Sequence, residues 1–181
     1  MTKVAVVVGS LRKDSYSRKL AKNMAHLLPE GFEPEFVEIG NLQLYNEEYD
    51  GNEPKEYIDF RNQIKGMDAV MFVTPEYNRS VPGVLKNAID IASRPPGENV
   101  WDGKPAMVAS QSISNLSGFG ANHHLRQSLV FLNMPVLQQP EVYIANSTEL
   151  FDDNDNVNSD DTVKFLQSAV DAFVEHVKRY V

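Results

Sequence analysis

The chain has no cysteine, so disulfides, thiol nucleophiles and thiolate metal sites are all excluded. It has no apolar run near the roughly 20 residues that a membrane-spanning helix needs. Its opening apolar stretch, Val4–Val8, is also too short for the core of a secretion signal. Positive charge is scarce: 17 Lys and Arg stand against 25 Asp and Glu, a formal net charge of −8. That balance argues against general affinity for nucleic acid or an anionic membrane, while leaving room for an anion held by one local arginine. The sequence contains neither G-x-x-x-x-G-K nor G-x-G-x-x-G, which weakens triphosphate and dinucleotide readings. A hydrolase elbow G-x-S-x-G around Ser117 would need glycine where Asn115 stands. His123 and His124 are adjacent, so on a helix they point about 100° apart and cannot form a metal pair.

What is present is a strict alternation of two patterns. Val4–Val8, Ala69–Val73, Ala106–Ala109 and Val142–Ala145 are short apolar segments of the kind buried on both faces of a parallel sheet. Phe36–Ile39 alternates with Glu35 and Glu38 and suits an edge strand. Between them the period becomes helical. Stripes run through Leu20, Met24 and Leu27; Tyr57, Phe60 and Ile64; Val84, Leu85, Ala88, Ile89 and Ala92; Leu125, Leu129 and Leu132; and Leu166, Val170, Phe173 and Val177. Strand and helix in turn, five times over, predict an α/β domain spanning 1–181, its parallel sheet covered on both faces. The polar stretch Asp152–Asp161 lacks the glycine and closing glutamate of a calcium loop. It reads as a solvated loop that caps the last helix through Ser159 or Asp160.

In such a sheet ligands sit beyond the carboxyl ends of the strands, and three segments there are unlike ordinary connectors. Gly9–Ser17 offers hydroxyls from Ser10, Ser15 and Ser17, the Arg12 guanidinium, the Tyr16 side chain, and free N–H groups at a helix start. Together they make an anion site suited to a single phosphate, or simply a helix capped by Ser15 or Asp14 with Arg12 in solvent. Thr74–Gly83 carries two prolines and turns stiffly from strand to helix: its rigid N–H groups and the Asn78 amide suit the polar edge of a flat heterocycle, or the segment is simply a stiff connector. Ser110–Gly120 is long, small and polar, with Ser110, Gln111, Ser112, Ser117 and Gly118 as candidate contacts, or it is a mobile surface loop. Trp101, in the connector 94–105, either covers the ligand or pins that loop to the core. His26 and His176 fall on amphipathic helices and are expected to be partly exposed, and Lys86 and Asp90 to pair on one helix face.

The stretches GSLRKDSYSRKLA, PEYNRSVPGVLKNAIDIASRP and GKPAMV, followed by HLRQSLVFLNMPVL, resemble the NAD(P)H-dependent FMN reductases, a group that includes quinone, azo and chromate reductases. The likeness covers essentially the whole chain. It implies a flavodoxin-like, doubly wound five-stranded parallel sheet in the order 2-1-3-4-5, with helices on both faces. It implies that Ser10, Arg12, Ser15 and Ser17 hold the FMN phosphate, although the group's nearer members carry Asn where Ser17 stands. Pro75, Glu76, Tyr77 and Asn78 would line the isoalloxazine. The third loop departs from the pattern, with Ser117-Gly118 in place of a Gly-Gly pair. The implied activity is a ping-pong oxidoreductase: NAD(P)H delivers hydride to flavin N5, and a small acceptor such as a quinone, azo compound, free flavin or chromate then takes the electrons. No general acid or base is required, because the cofactor carries the chemistry. The rival is a flavodoxin-type one-electron carrier without NAD(P)H turnover. A cytoplasmic homodimer or homotetramer is expected, paired through the helix that begins at Pro82, where Val81 and Ile91 fall off the core stripe.

Overall fold

Side-chain alternation along the central strands decides the architecture. In the computed structural model, which describes residues 1–181, strand β1 (Thr2–Val8) sends Val4, Val6 and Val8 to one face and Ala5 and Val7 to the other. Strand β3 (Ala69–Thr74) does the same with Met71 and Val73 against Val70 and Phe72. A strand apolar on both faces must be covered on both. Helices α1 (Tyr16–His26) and α5 (Asp160–Val177) bury one side through Leu20, Met24, Val170 and Phe173. Helices α2 (Lys55–Lys65), α3 (Gly83–Ala92) and α4 (Phe119–Phe131) bury the other through Tyr57, Ile64, Leu85 and Leu125.

The sheet is completed by β2 (Phe32–Val37), β4 (Ala106–Gln111) and β5 (Val142–Ile144), all parallel, in the order β2-β1-β3-β4-β5. The expected order and flavodoxin-like winding are therefore found. Winding reverses between β1 and β3, and a crevice opens at their carboxyl ends.

Several boundaries differ from expectation. β2 lies four residues earlier at its start than the alternating Phe36–Ile39 segment, with Pro34 inside it. Its position at the sheet edge, paired only with β1, tolerates a residue lacking N–H. Ile39 and Leu42 are apolar for another reason: they lie in the core cluster after the strand ends. β4 continues through Ser110 and Gln111, both buried, so the third loop begins only at Ser112 and ends where α4 starts at Phe119.

Trp101 is fully buried, donates Nε1–H to the Ile89 carbonyl at 3.1 Å, and packs against Phe60 and Phe72. It pins the 94–105 connector to the core. Ile91 lies in the same apolar cluster, 1% exposed, and Val81 packs against it partly buried. The expectation that these two need a second subunit for cover is thus corrected. His176 is likewise buried, its Nε2–H donated to the Pro135 carbonyl at 2.8 Å, whereas His26 is exposed. Ser159, not Asp160, caps α5, accepting from Thr162 N–H at 3.3 Å. Lys86 and Asp90 pair at 2.9 Å as expected.

Candidate functional site

The carboxyl ends of β1, β3 and β4 lie side by side, with Val8 in register with Val73 and Thr74 with Ser110. A cavity of about 190 Å³ opens above them. Its walls are Ser10, Arg12, Ser15 and Tyr16 from the first loop, Pro75, Glu76 and Tyr77 from the second, and Gln111, Ser112 and Ile113 after β4. A larger cleft of about 780 Å³ lies among α4, the chain after it and α5. That cleft includes Pro135, whose carbonyl accepts from Ala106 N–H, and so sits at the amino end of β4, where doubly wound sheets do not place ligands.

The first loop is built to leave a cation free. Ser15 caps α1 by accepting from Arg18 N–H at 3.1 Å, which removes Asp14 as the alternative and leaves the serine hydroxyl hydrogen available. Arg18 pairs with Glu38 at 2.7 Å and Lys19 with Asp155. Arg12 has no carboxylate within ion-pair distance; its guanidinium lies 5.2 Å from the centre of the Tyr16 ring, which stacks on Phe151. Ser10 Oγ accepts from Arg12 N–H at 3.4 Å. Gly9 is required where the loop leaves β1, because a Cβ there would stand 2.8 Å from Thr74 Oγ1.

The second loop folds into a tight hairpin. Tyr77 and Ser80 exchange both backbone hydrogen bonds at 3.0 Å, and the two residues between them, Asn78 and Arg79, have φ of 50° and 65°. Asn78 is therefore at the exposed hairpin tip, outside the cavity wall. The Glu76 side chain is 8% exposed. Burial alone pushes its pKa up, but Arg79 and the N–H groups of Ala121 and Gly120 outweigh that and hold the carboxyl below the ordinary glutamate range.

The third loop supports more than it lines. Ser117 and Gly118 have φ of 57° and 72°. Ser110 Oγ donates to the Ser117 carbonyl at 2.8 Å and accepts from Asn122 Nδ2 at 3.2 Å. Ser110, Ser117 and Gly118 thus shape the loop without reaching the cavity. Ser17 is fully buried beneath it and accepts from Gln111 Nε2 at 2.8 Å. The Gln111 Oε1 atom is buried with no hydrogen-bond partner. Ile113 completes the wall and carries no chemical signal in the sequence, being an exposed apolar residue in a polar loop.

Comparison with known proteins agrees with this geometry. The family model described as NADPH-dependent FMN reductase matches residues 2–149. A quinone reductase of Pseudomonas putida is 54% identical over 176 residues, covering 97% of this chain and 94% of that protein. A 2-hydroxy-1,4-benzoquinone reductase of a Burkholderia species is 45% identical, covering 97% of this chain and 96% of its own. Among solved structures, the flavoenzyme NAD(P)H:acceptor oxidoreductase FerB of Paracoccus denitrificans superimposes with a TM-score of 0.93 at 39% identity, covering 99% of each chain. With three loops converging on the switch point and a family match over most of its length, the chain belongs to the NADPH-dependent FMN reductase family.

Proposed function

We propose that this chain, acting as one domain over 1–181, is a quinone reductase: it holds FMN in the β1–β3–β4 crevice and uses NAD(P)H to reduce a small apolar acceptor. The observation that carries the reading is Arg12, a cation with no carboxylate partner at the mouth of a cavity flanked by the Ser10 and Ser15 hydroxyls. A phosphomonoester matches that donor set. The orphaned, buried Gln111 Oε1 offers a hydroxyl-bearing chain the acceptor it needs.

The cofactor's residues divide by task. Ser10, Arg12 and Ser15 bind the phosphate, with Tyr16 holding the arginine in place. Gln111, oriented by Ser17, takes the ribityl hydroxyls. Pro75, Tyr77 and the backbone of Glu76 line the ring on one side, with Asn78 at the hairpin tip beyond them. Ser112 lines it on the other, on a loop whose shape depends on Ser110, Ser117 and Gly118. When bound, FMN supplies hydride chemistry between NAD(P)H and the acceptor, so the protein contributes binding, exposure of one ring face and N–H donors.

Apolar side chains on the same loops favour a quinone over an oxyanion such as chromate. Leu11, Tyr77, Ile113, Leu116 and Phe119 are each more than half exposed there, a grouping that suits a flat apolar molecule. Azo compounds share that shape, and free flavin shares it in part. A one-electron carrier is disfavoured because Trp101, the chain's one tryptophan, is buried away from the crevice and cannot flank a ring.

The same proposal includes a homodimer or homotetramer, supported by Val130 and Phe131, which stand 71% and 89% exposed at the end of α4. It also includes the cytoplasm, where the NAD(P)H pool lies. No helix is long and apolar enough to cross a membrane. The deciding experiment is the visible spectrum of the purified protein with NADPH, then with benzoquinone. Bleaching of a flavin band by NADPH and its return with quinone is expected, with parallel double-reciprocal lines in steady state. A colourless protein that neither takes up FMN nor oxidises NADPH overturns the reading.

A further inference from the structure

Both oxygens of the Glu76 carboxylate are engaged by donors of the protein itself. Oε2 accepts from Ala121 N–H at 3.1 Å, in the first turn of α4, and a second N–H of that turn, from Gly120, also points at the carboxyl. Oε1 accepts from Arg79 Nη1 at 2.9 Å. The side chain therefore joins the Tyr77–Ser80 hairpin to a helix start 45 residues further along the chain. The contact is close on both sides. A Cβ on Gly120 would stand 2.6 Å from the Arg79 carbonyl and 2.9 Å from Glu76 Oε2, so only glycine permits the approach. His124 Nδ1, one turn into α4, adds a second pin to Ser80 Oγ at 2.9 Å.

The hairpin needs such fastening. Two consecutive non-glycine residues, Asn78 and Arg79, have left-handed backbones. Asparagine tolerates that conformation, but arginine does so only under constraint. Arg79 is held at both ends, its guanidinium by Glu76 and its carbonyl against Gly120. An anionic side chain at a helix N-terminus is also electrostatically favoured.

We propose that Glu76 is a positioning residue: its carboxylate clamps the Tyr77–Ser80 hairpin to the N-terminus of α4 and thereby sets how tightly, and in what surroundings, the flavin ring is held. The inference rests on the FMN reading above and deepens it. It assigns the glutamate side chain to the frame of the site and leaves ring contact to its backbone and to Tyr77.

The test compares holoenzymes. FMN dissociation is followed by flavin fluorescence on dilution, the bound flavin by visible circular dichroism, and folding by thermal melting. The variants are Glu76→Ala, Glu76→Gln and, as a control, Ser159→Ala, which removes a helix cap on α5 away from the site. Glu76→Ala is expected to weaken FMN binding about tenfold or more, as loss of hydrogen bonds to a charged group implies, and to alter the flavin dichroism. Glu76→Gln keeps the shape and one acceptor, so it should fall between. Ser159→Ala should lower the melting temperature and leave FMN affinity unchanged. If both Glu76 variants bind FMN within about twofold of wild type, the carboxylate is a helix cap only and the inference fails. Should Glu76→Ala not fold, Glu76→Gln decides on the same criterion. A wild-type protein that binds no FMN would instead overturn the functional reading, and this inference with it.

Discussion

Gln111, at the end of β4, donates its Nε2–H to Ser17 Oγ on α1 at 2.8 Å across 94 residues of sequence, and this bond leaves its own Oε1 buried without a partner. A buried amide oxygen left unpaired costs about 1–3 kcal/mol. The protein carries that cost where three loops converge, and a hydroxyl-bearing ligand would relieve it.

Replacement of Gln111 by Leu removes the orphaned oxygen and should weaken FMN and riboflavin alike, by about 0.5–1.5 kcal/mol, the usual worth of a neutral hydrogen bond. Equal loss for the two flavins is the point, because the contact is with the chain they share. Titration of each into apo-protein checks it. Loss confined to FMN would assign Gln111 to the phosphate instead.

Arg12 gives the complementary result. With no carboxylate to neutralise it and its guanidinium over the Tyr16 ring, Arg12→Ala should weaken FMN by about 1.5–3 kcal/mol and leave riboflavin unchanged. The same titrations measure it, and equal FMN affinity in variant and wild type would remove the phosphate assignment.

These two residues also mark what sequence reasoning can and cannot reach. Arg12 was legible because its surroundings are local: hydroxyls, a helix start and the cation lie within eight residues. The sheet was legible because Val4–Val8 and Ala69–Val73 are short, apolar at every position and rich in valine, the pattern of a doubly covered strand. The Gln111–Ser17 bond, the Glu76 clamp on α4 and the burial of Ile91 beside Trp101 were not legible. Each joins segments far apart in the chain, and nothing in the local composition announces the partner. Ser110 and Ser117 were read as cofactor contacts, yet the Ser110 hydroxyl donates to the Ser117 carbonyl and accepts from Asn122, and the Ser117 hydroxyl donates to the Asn115 carbonyl. Residue type identifies groups capable of contact; packing decides which face the cavity.

Acid should loosen the site in a way that depends on Glu76. Its carboxyl is pushed up by burial but held below the ordinary value, on balance, by Arg79 and the α4 N–H groups. A depressed folded value means the clamp's contribution is fully present above the unfolded glutamate value of about 4.3 and is lost as pH falls through the folded one. Thermal melts of wild type and Glu76→Gln from pH 7 to 3 isolate this contribution. The difference between the proteins should be constant down to about pH 5 and then shrink. A difference that grows as pH falls would contradict the assigned direction.

The proposed association would run through α4 and not through α3. Ile91 and Val81, the residues first expected to seek a partner, are covered by their own chain, whereas Phe131 is 89% and Val130 71% exposed side by side at the end of α4. The neighbouring surface between α3 and α4 is a cleft of about 420 Å³ that includes Ile89, Ser128 and Phe131. Two adjacent large apolar groups beside a cleft can satisfy each other across a two-fold axis, each phenylalanine entering the partner's cleft. Phe131→Glu would then place two like charges against that axis and bury them, at a cost of several kcal/mol. Within one chain the same substitution should be nearly neutral, because the side chain contributes little to the core. Light scattering at micromolar concentration is therefore expected to give a multiple of 20.3 kDa for wild type and the single-chain mass for Phe131→Glu, with an unchanged circular dichroism spectrum. A wild-type mass of one chain, or a variant that remains associated, would show that this face is solvent-exposed in the working protein.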